Sequence, residues 1–288
     1  GGGAAGYFTA INAKENNPDL DITILEKGND VLQKVKISGG GRCNVTHACF
    51  EPKELVKFYP RGEKELLGPF HQFMTGDTFE WFENKGVPLK IEDDNRVFPE
   101  ANTSQAIIDC FQNAVDNLGI KVLTNCGVNS VYQQENKWVI NTKEQDFEAD
   151  KVVIAAGSSK RIWELCETLD HAVVEPVPSL FTFNINDKRL VDLLGISVPN
   201  ATISISGTKL EASGPLLITH WGVSGPAVLK LSAFGARILA DKNYQYNVEV
   251  NWLSRPTDKV LNVLLNLKKK EPRKTVVLKS PFTEISKR

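Results

Sequence analysis

Apolar and polar positions repeat with two different periods along this chain, and the changes of period mark its elements. Residues 4–14 (AAGYFTAINAK) are small and apolar and stop at Asn16-Asn17-Pro18, which predicts a helix. Residues 21–26 (DITILE) are a β-branched run ending in an acid, the signature of a short strand. Leu66, Leu67, Phe70, Phe73, Phe79 and Phe82 fall at helical spacing and predict two short helices broken near Gly76. Segments 87–91 and 96–98 read as strand fragments around the polar turn Asp93-Asp94-Asn95. Thr103 or Asn102 would cap a helix through Leu118, with Ile107, Cys110, Ala114 and Val115 on one face and Gly119 as its stop. Strand-like runs follow at 120–124, 128–133, 138–142 and 151–155, the middle two as an antiparallel meander.

The pattern changes at Glu175-Pro176-Val177-Pro178-Ser179, a proline-rich bend suited to a domain crossing. Beyond it, 180–185, 197–206, 209–211 and 216–219 predict short strands, and so a β-barrel or sandwich. Residues 227–239 predict a helix, 244–252 a strand with strict alternation, and 258–270 an amphipathic helix ending in lysines.

Composition narrows the partners more than the fold. The 288 residues carry 34 Lys+Arg against 35 Asp+Glu, which argues against an electrostatic binder of DNA or other nucleic acid. No run approaches the ~18 apolar residues of a membrane span, so no membrane partner is expected. The cysteines (43, 49, 110, 126 and 166) are scattered, with no CxxC, as expected of reduced thiols in a cytoplasmic protein without a secretory leader. At this length two domains are favoured over one.

Two glycine clusters carry the candidate chemistry. Gly1-x-Gly3-x-x-Gly6 opens the first helix, as in dinucleotide-binding turns that aim a helix N-terminus at a pyrophosphate. Glu26 ends the following strand 20 positions after Gly6, where a carboxylate accepts hydrogen bonds from ribose hydroxyls; Lys27 adjoins it, with no arginine there to meet a 2′-phosphate. The rival reading is a glycine-rich turn beside a surface acid. The second cluster, Lys36-Ile37-Ser38-Gly39-Gly40-Gly41-Arg42-Cys43-Asn44, reads as an anion nest bracketed by positive charge, in preference to a flexible linker.

GGGAAG, the acid-ended strand and KISGGGRCNVTH together resemble the BaiN-like, or aminoacetone-oxidase-type, FAD-binding flavoproteins. NRVFP at 95–99, VVIAAG at 152–157, PVPSL at 176–180 and ITHWGVSGPAVLKLS at 218–232 agree in order, so the resemblance covers essentially the whole chain. It implies an α/β fold: a glutathione-reductase-like, Rossmann-type FAD-binding domain over residues 1–178. An inserted β-barrel would occupy 179–288, with a helical subdomain starting near 255. On that resemblance Gly1, Gly3, Ala4, Ala5 and Gly6 meet the pyrophosphate, and Glu26 and Lys27 lie at the adenosine ribose. Lys36, Ser38, Gly39, Gly40, Arg42 and Asn44 line the path to the flavin, Val128 lies near the adenine, and Ala156 and Gly157 end the strand beneath the cofactor. His47 stands where the family pattern has Asn, and Ser158-Ser159-Lys160 replaces a longer loop after Gly157, so substrate is not inherited. The resemblance further implies that a strand before Gly1 and a closing glycine-rich segment lie outside this sequence.

The implied activity is an FAD-dependent oxidoreductase with non-covalent flavin, a small-molecule substrate and NAD(P)H as candidate electron donor. The alternative is a non-catalytic flavin-binding scaffold or RNA-modification helper. His220 and Ser224, in the strand-to-helix passage THWGVSGPA, are the catalytic candidates: His220 to shuttle a proton, Ser224 at an anion-holding helix start. The competing account is helix-start chemistry with His220 packed on the barrel. Cys43, His47 and Cys49 have poor spacing for zinc, and no metal is expected. Cys43 beside Arg42 is either a lowered-pKa thiol or, preferably, a buried inert one.

Overall fold

Two separate apolar cores organise residues 1–273, 275 and 280–285, the part of the chain that the computed structural model describes. They belong to compact units spanning Gly1–Val174 and Glu175–Arg288.

In the first unit, α1 (Ala4–Asn16) leads into β1 (Thr23–Leu25) and then α2 (Gln33–Gly41). Next come β2 (Thr46–His47), α3 (Pro52–Leu55), α4 (Glu63–Phe70), α5 (Thr75–Glu83), β3 (Leu89–Ile91) and β4 (Arg96–Pro99). The remainder is α6 (Ser104–Asn117), β5 (Lys121–Leu123), the meander β6 (Val128–Gln134), β7 (Lys137–Thr142) and β8 (Asp146–Ala149), and α7 (Lys160–Glu167). β1 and β5 pair in parallel, Ile24 opposite Val122, while β2-β4-β3 and β6-β7-β8 form small antiparallel sheets.

Helix α6 shows why the local signals work. The Thr103 hydroxyl accepts from the Gln105 N–H at 3.3 Å, and Gly119 ends the helix with φ of 64°. Between those stops, Ile107, Ile108, Cys110, Phe111 and Val115 are buried against Tyr7, Ala10 and Ile11 of α1. Phe111 gathers the aromatic part of this core, with ring centroids 6.0 Å from Tyr7, 5.6 Å from Trp81 and 5.8 Å from Phe82.

Two expectations shift. The helix break falls at residues 71–74, not at Gly76, because the Asp77 carboxylate accepts from the Met74 N–H at 2.7 Å and starts α5 early. Residues 151–157 form no regular strand, and Val153 is 63% exposed, since they have no ladder partner among the described residues. β-propensity cannot make a strand without one. The meander gains a third strand that its sequence did not predict, β8, paired to β7 from Trp138↔Ala149 to Asn141↔Asp146.

The second unit contains β9 (Phe183–Asn184), β10 (Ser197–Ile205), β11 (Glu211–Thr219), β12 (Gly222–Ser224), α8 (Pro226–Asp241), β13 (Val248–Asn251) and α9 (Thr257–Lys270). The strands form one antiparallel half-barrel sheet in the order β13-β10-β11-β12-β9. The segments expected at 209–211 and 216–219 are one strand, β11, despite Gly214-Pro215 within it. Pro215 is tolerated because β10 bulges opposite it, between Val198 and Ala201, where the ladder is already interrupted. Ala227, Val228, Leu231 and Leu239 of α8 cover the sheet's core, which includes Ile203, Leu216 and Val223. A cavity of about 1200 Å³, lined by Phe181, Phe183, Tyr246, Val248 and Trp252 among others, opens where β9 and β13 remain edges. Burial, with neighbouring Tyr244, pushes the Tyr246 phenol up to about 12. Among the described residues no helix is long and apolar enough to cross a membrane.

Replacing Phe111 by Ala is expected to lower unfolding free energy by about 3–5 kcal/mol, from lost burial and the cavity left behind. Val191→Ala, at a side chain 71% exposed, should stay within about 0.5 kcal/mol of wild type. Urea unfolding followed by tryptophan fluorescence measures both; equal effects would refute the assigned core.

Candidate cofactor site

The turn before α1 is built by close approach. A Cβ on Gly6 would lie 1.9 Å from the Gly1 carbonyl oxygen, and one on Gly1 would lie 2.7 Å from both Ala155 O and Ala156 Cα. On Gly2 it would meet Val31 Cγ1 at 2.8 Å and Glu26 Cβ at 3.0 Å. Gly3 differs: nothing lies within 4 Å of its would-be Cβ, and its φ of −92° suits any residue. As N-cap of α1 it provides no side-chain cap, so first-turn N–H groups beside exposed Ala4 and Ala5 remain open to a ligand.

Glu26 is held facing this turn. Its Oε2 accepts from the Gly2 N–H and its Oε1 from the Gly28 N–H, each at 2.8 Å. Both oxygens keep lone pairs for a further donor. The strand end is fixed from the other side: the Glu26 N–H donates to Leu123 O, Cys126 N–H to Glu26 O and Asn125 N–H to Gly28 O, at 2.8 to 2.9 Å. Gly127 packs on Lys27, its would-be Cβ 3.3 Å from Lys27 Cβ, and Val128 follows directly as the first residue of β6. Lys27 is exposed. Ala156 and Gly157 (φ 69°) are also exposed, and Ala155-Ala156 passes directly against Gly1.

α2 connects the two glycine clusters. The Leu32 N–H donates to Gly2 O at 2.8 Å, which ties the helix start to the first turn. The regular part of α2 ends at Ser38, roughly 8 Å further at 1.5 Å per residue. There the backbone enters the left-handed region at Gly39 (56°), Gly40 (69°), Gly41 (83°) and Cys43 (61°). Gly39 also has no room, its would-be Cβ 2.7 Å from Asn44 N and 2.9 Å from Phe98 Cε1, whereas Gly40 and Gly41 face open space.

Several polar side chains expected at a ligand are engaged inside the protein. Ser38 Oγ donates to Val35 O at 2.9 Å. The Asn44 amide, oriented to satisfy both partners, donates to Val97 O and Thr46 O at 3.2 and 3.0 Å. Arg42 pairs with Glu92 at 2.5 Å and lies 3.9 Å above the Phe98 ring centroid. Burial raises the Cys43 thiol, against the lowered-pKa reading. Lys36 is exposed, its carbonyl accepting from Ser104 Oγ at 2.8 Å. Lys34, which sequence reasoning passed over, puts its Nζ 3.4 Å from the would-be Cβ of Gly157. Its position two residues before Lys36, just ahead of the second glycine cluster, was the available signal. Gly2 and Gly28, the donors to Glu26, were also missed.

His220 and Ser224 belong to the second unit, whereas the glycine turns belong to the first. His220 is exposed, its ring centroid 4.1 Å from that of Trp221 in an edge contact. Ser224 ends β12, and Gly225 (φ 103°) is the N-cap of α8, with Pro226 in the first turn.

Gly6→Ala should cost about 1–3 kcal/mol, because the methyl must displace a backbone carbonyl. Gly3→Ala should change stability by less than about 0.5 kcal/mol. Denaturant midpoints of the two variants check this contrast, and reversal of their order would sink the assigned geometry.

Known proteins resemble this chain along most of its length. The 3-dehydro-bile acid delta(4,6)-reductase of Clostridium scindens is 25% identical over 263 residues, 88% of this chain and 63% of that protein. The ribosomal RNA dihydrouridine synthase of Haemophilus influenzae is 26% identical over 248 residues, 81% of this chain and 60% of that protein. This chain therefore spans about three-fifths of the length of these relatives. The solved bacillithiol disulfide reductase Bdr of Staphylococcus aureus superposes with a TM-score of 0.28 at 21% identity, covering 52% of this chain and 34% of that one. The family assignment rests on sequence: the HI0933-like protein Rossmann domain matches residues 1–239, and the chain belongs to that family.

Proposed function

We propose that the protein is an FAD-dependent oxidoreductase, with the first unit as its FAD-binding domain and the second as the insert. The observation that carries this reading is the Glu26 carboxylate, fixed by the Gly2 and Gly28 N–H groups beside the open helix start at Gly3. The residues present fit the group. Gly3, Gly40 and Gly41 leave the space that a Cβ would fill, the α1 N-terminus favours a diphosphate, and Glu26 retains acceptor capacity for ribose hydroxyls. When bound, FAD supplies two-electron hydride chemistry. Lys34 and Lys36 contribute positive charge, and the Gly39–Gly41 backbone lines the route between the diphosphate and the ring.

The relatives' names suggest the class of substrate. A delta(4,6)-reductase and a dihydrouridine synthase both saturate a carbon–carbon double bond. In a 3-oxo steroid and in a uracil ring, that bond is conjugated to a carbonyl. We therefore assign reduction of a conjugated carbon–carbon double bond, with NAD(P)H as electron donor. His220 Nδ1 or Nε2 is the candidate source of the accompanying proton, with Ser224 Oγ as a candidate substrate contact. A net charge of −1 over 34 cations and 35 anions favours a small molecule over ribosomal RNA.

Purified protein should absorb near about 450 nm and consume NADH or NADPH with a small cyclic enone as acceptor. Absence of flavin-dependent turnover of any conjugated acceptor would overturn the enzyme reading in favour of a scaffold. Glu26→Ala should weaken FAD binding about 10- to 100-fold, the scale of lost hydrogen bonds to a charged group. Lys34→Met should weaken it more at low salt than at high salt, since screening removes the counter-charge already. Fluorescence titration of FAD reads both, and unchanged affinity would remove the corresponding residue from the site.

A further inference from the structure

The second glycine turn has an unusual backbone and an external tether. Four of the five residues 39–43 lie in the left-handed region, and one of them, Cys43, carries a side chain. Local preference does not hold such a run in one shape. The β3–β4 hairpin restrains it. Phe98, fully buried on β4, presents a ring edge to Gly39 and its face to the Arg42 guanidinium 3.9 Å away. Arg42 is then fastened by Glu92, Nη1 to Oε1 at 2.5 Å and Nη2 to Oε2 at 3.4 Å.

Glu92 is itself fixed. Its N–H donates to Arg96 O and its carbonyl accepts from the Asn95 N–H, both at 2.8 Å. Arg96 approaches the same carboxylate at 3.5 Å and the same ring at 5.3 Å, and is paired in turn with Asp94 at 2.7 Å. The hydrogen bond from Arg42, aided by the charge of Arg96 and opposed by Asp94, holds the Glu92 carboxyl below its ordinary range. The pair therefore stays charged above the usual carboxylate pKa and is lost only as pH falls through the lowered value.

We propose that Glu92 is a positioning residue for the cofactor: acting through Arg42 and Phe98, it holds the 38–44 turn in the shape that receives the flavin nucleotide. This rests on the FAD reading above. Arg42, read from sequence as a phosphate or flavin contact, has its fork committed to a carboxylate and acts by shaping the turn. Removing Glu92 frees the turn to sample other conformations, and binding then has to order it again.

The test is a double-mutant cycle on FAD affinity with Arg42→Ala, Glu92→Ala and both together, alongside visible circular dichroism of bound flavin and apoprotein melting. Glu92→Ala should weaken FAD about tenfold and alter the flavin dichroism. In the Arg42→Ala background the same change should add little, because its effect runs through Arg42. Glu92→Asp should recover part of the affinity, and Arg42→Lys should not replace the stacked fork. If Glu92→Ala fails to fold, Glu92→Gln, which keeps the volume and one acceptor, takes its place in the cycle. Unchanged FAD affinity and dichroism in the Glu92 variants, or effects of the two mutations that multiply independently, would overturn the positioning role. A wild-type protein that binds no FAD would instead overturn the cofactor reading, and this inference with it.

Discussion

A methyl group at position 6 would sit 1.9 Å from the carbonyl oxygen of Gly1, and that proximity governs the first unit. α1 can approach its own entry turn only because Gly6 has no side chain. Gly1 in turn lies against the backbone of Ala155 and Ala156, Gly2 against Val31 and Glu26, and Gly2 O receives the Leu32 N–H that starts α2. Three sequence-distant segments therefore converge on one turn. Gly1 and Gly6 lack a Cβ where backbones must touch, and Gly2 lacks one where the Val31 and Glu26 side chains close in. Gly2 and Gly6 have no positive φ, so space and not backbone freedom requires them, whereas neither requires Gly3. The turn at Gly39–Gly41 is the opposite case, with every glycine left-handed.

The two turns also differ in how they treat charge. At the first, Glu26 is an anion satisfied by backbone donors and needs no cation. At the second, the arginine that seemed free for a ligand is neutralised by Glu92 and stacked on Phe98. On the proposed reading, the positive charge left along the cofactor path comes from lysines on α2, Lys34 beside Gly157 and exposed Lys36. Lysine suits that role, because its point charge adapts to a ligand where a committed arginine fork does not.

The parts of this architecture legible in the sequence are those whose causes are local. Thr103 and Gly119 bracket α6, Asn16-Asn17-Pro18 stops α1, and the acid ending DITILE marks Glu26, each within a few residues of its effect. What escaped depends on distant partners. Residues 151–155 have strand composition but no ladder partner among the described residues. Pro215 looks like a strand break until the bulge in β10 is seen opposite it. The commitment of Arg42 was hidden because Glu92 lies 50 positions away, on the far side of three helices and two strands.

The anchoring of Glu26 bears on how cofactor preference can evolve. A surface glutamate can rotate away from an unwelcome ligand, but each oxygen here is tied to a different backbone N–H, one from Gly2 and one from Gly28. On the proposed reading, a nucleotide phosphorylated on the ribose beside Glu26 would meet a negative charge that no rotamer change removes. Replacing the acid alone would leave both N–H donors facing inward without a partner, at a cost characteristic of unsatisfied polar groups. On that same reading, a change of nucleotide preference here would require both turns to be remodelled together.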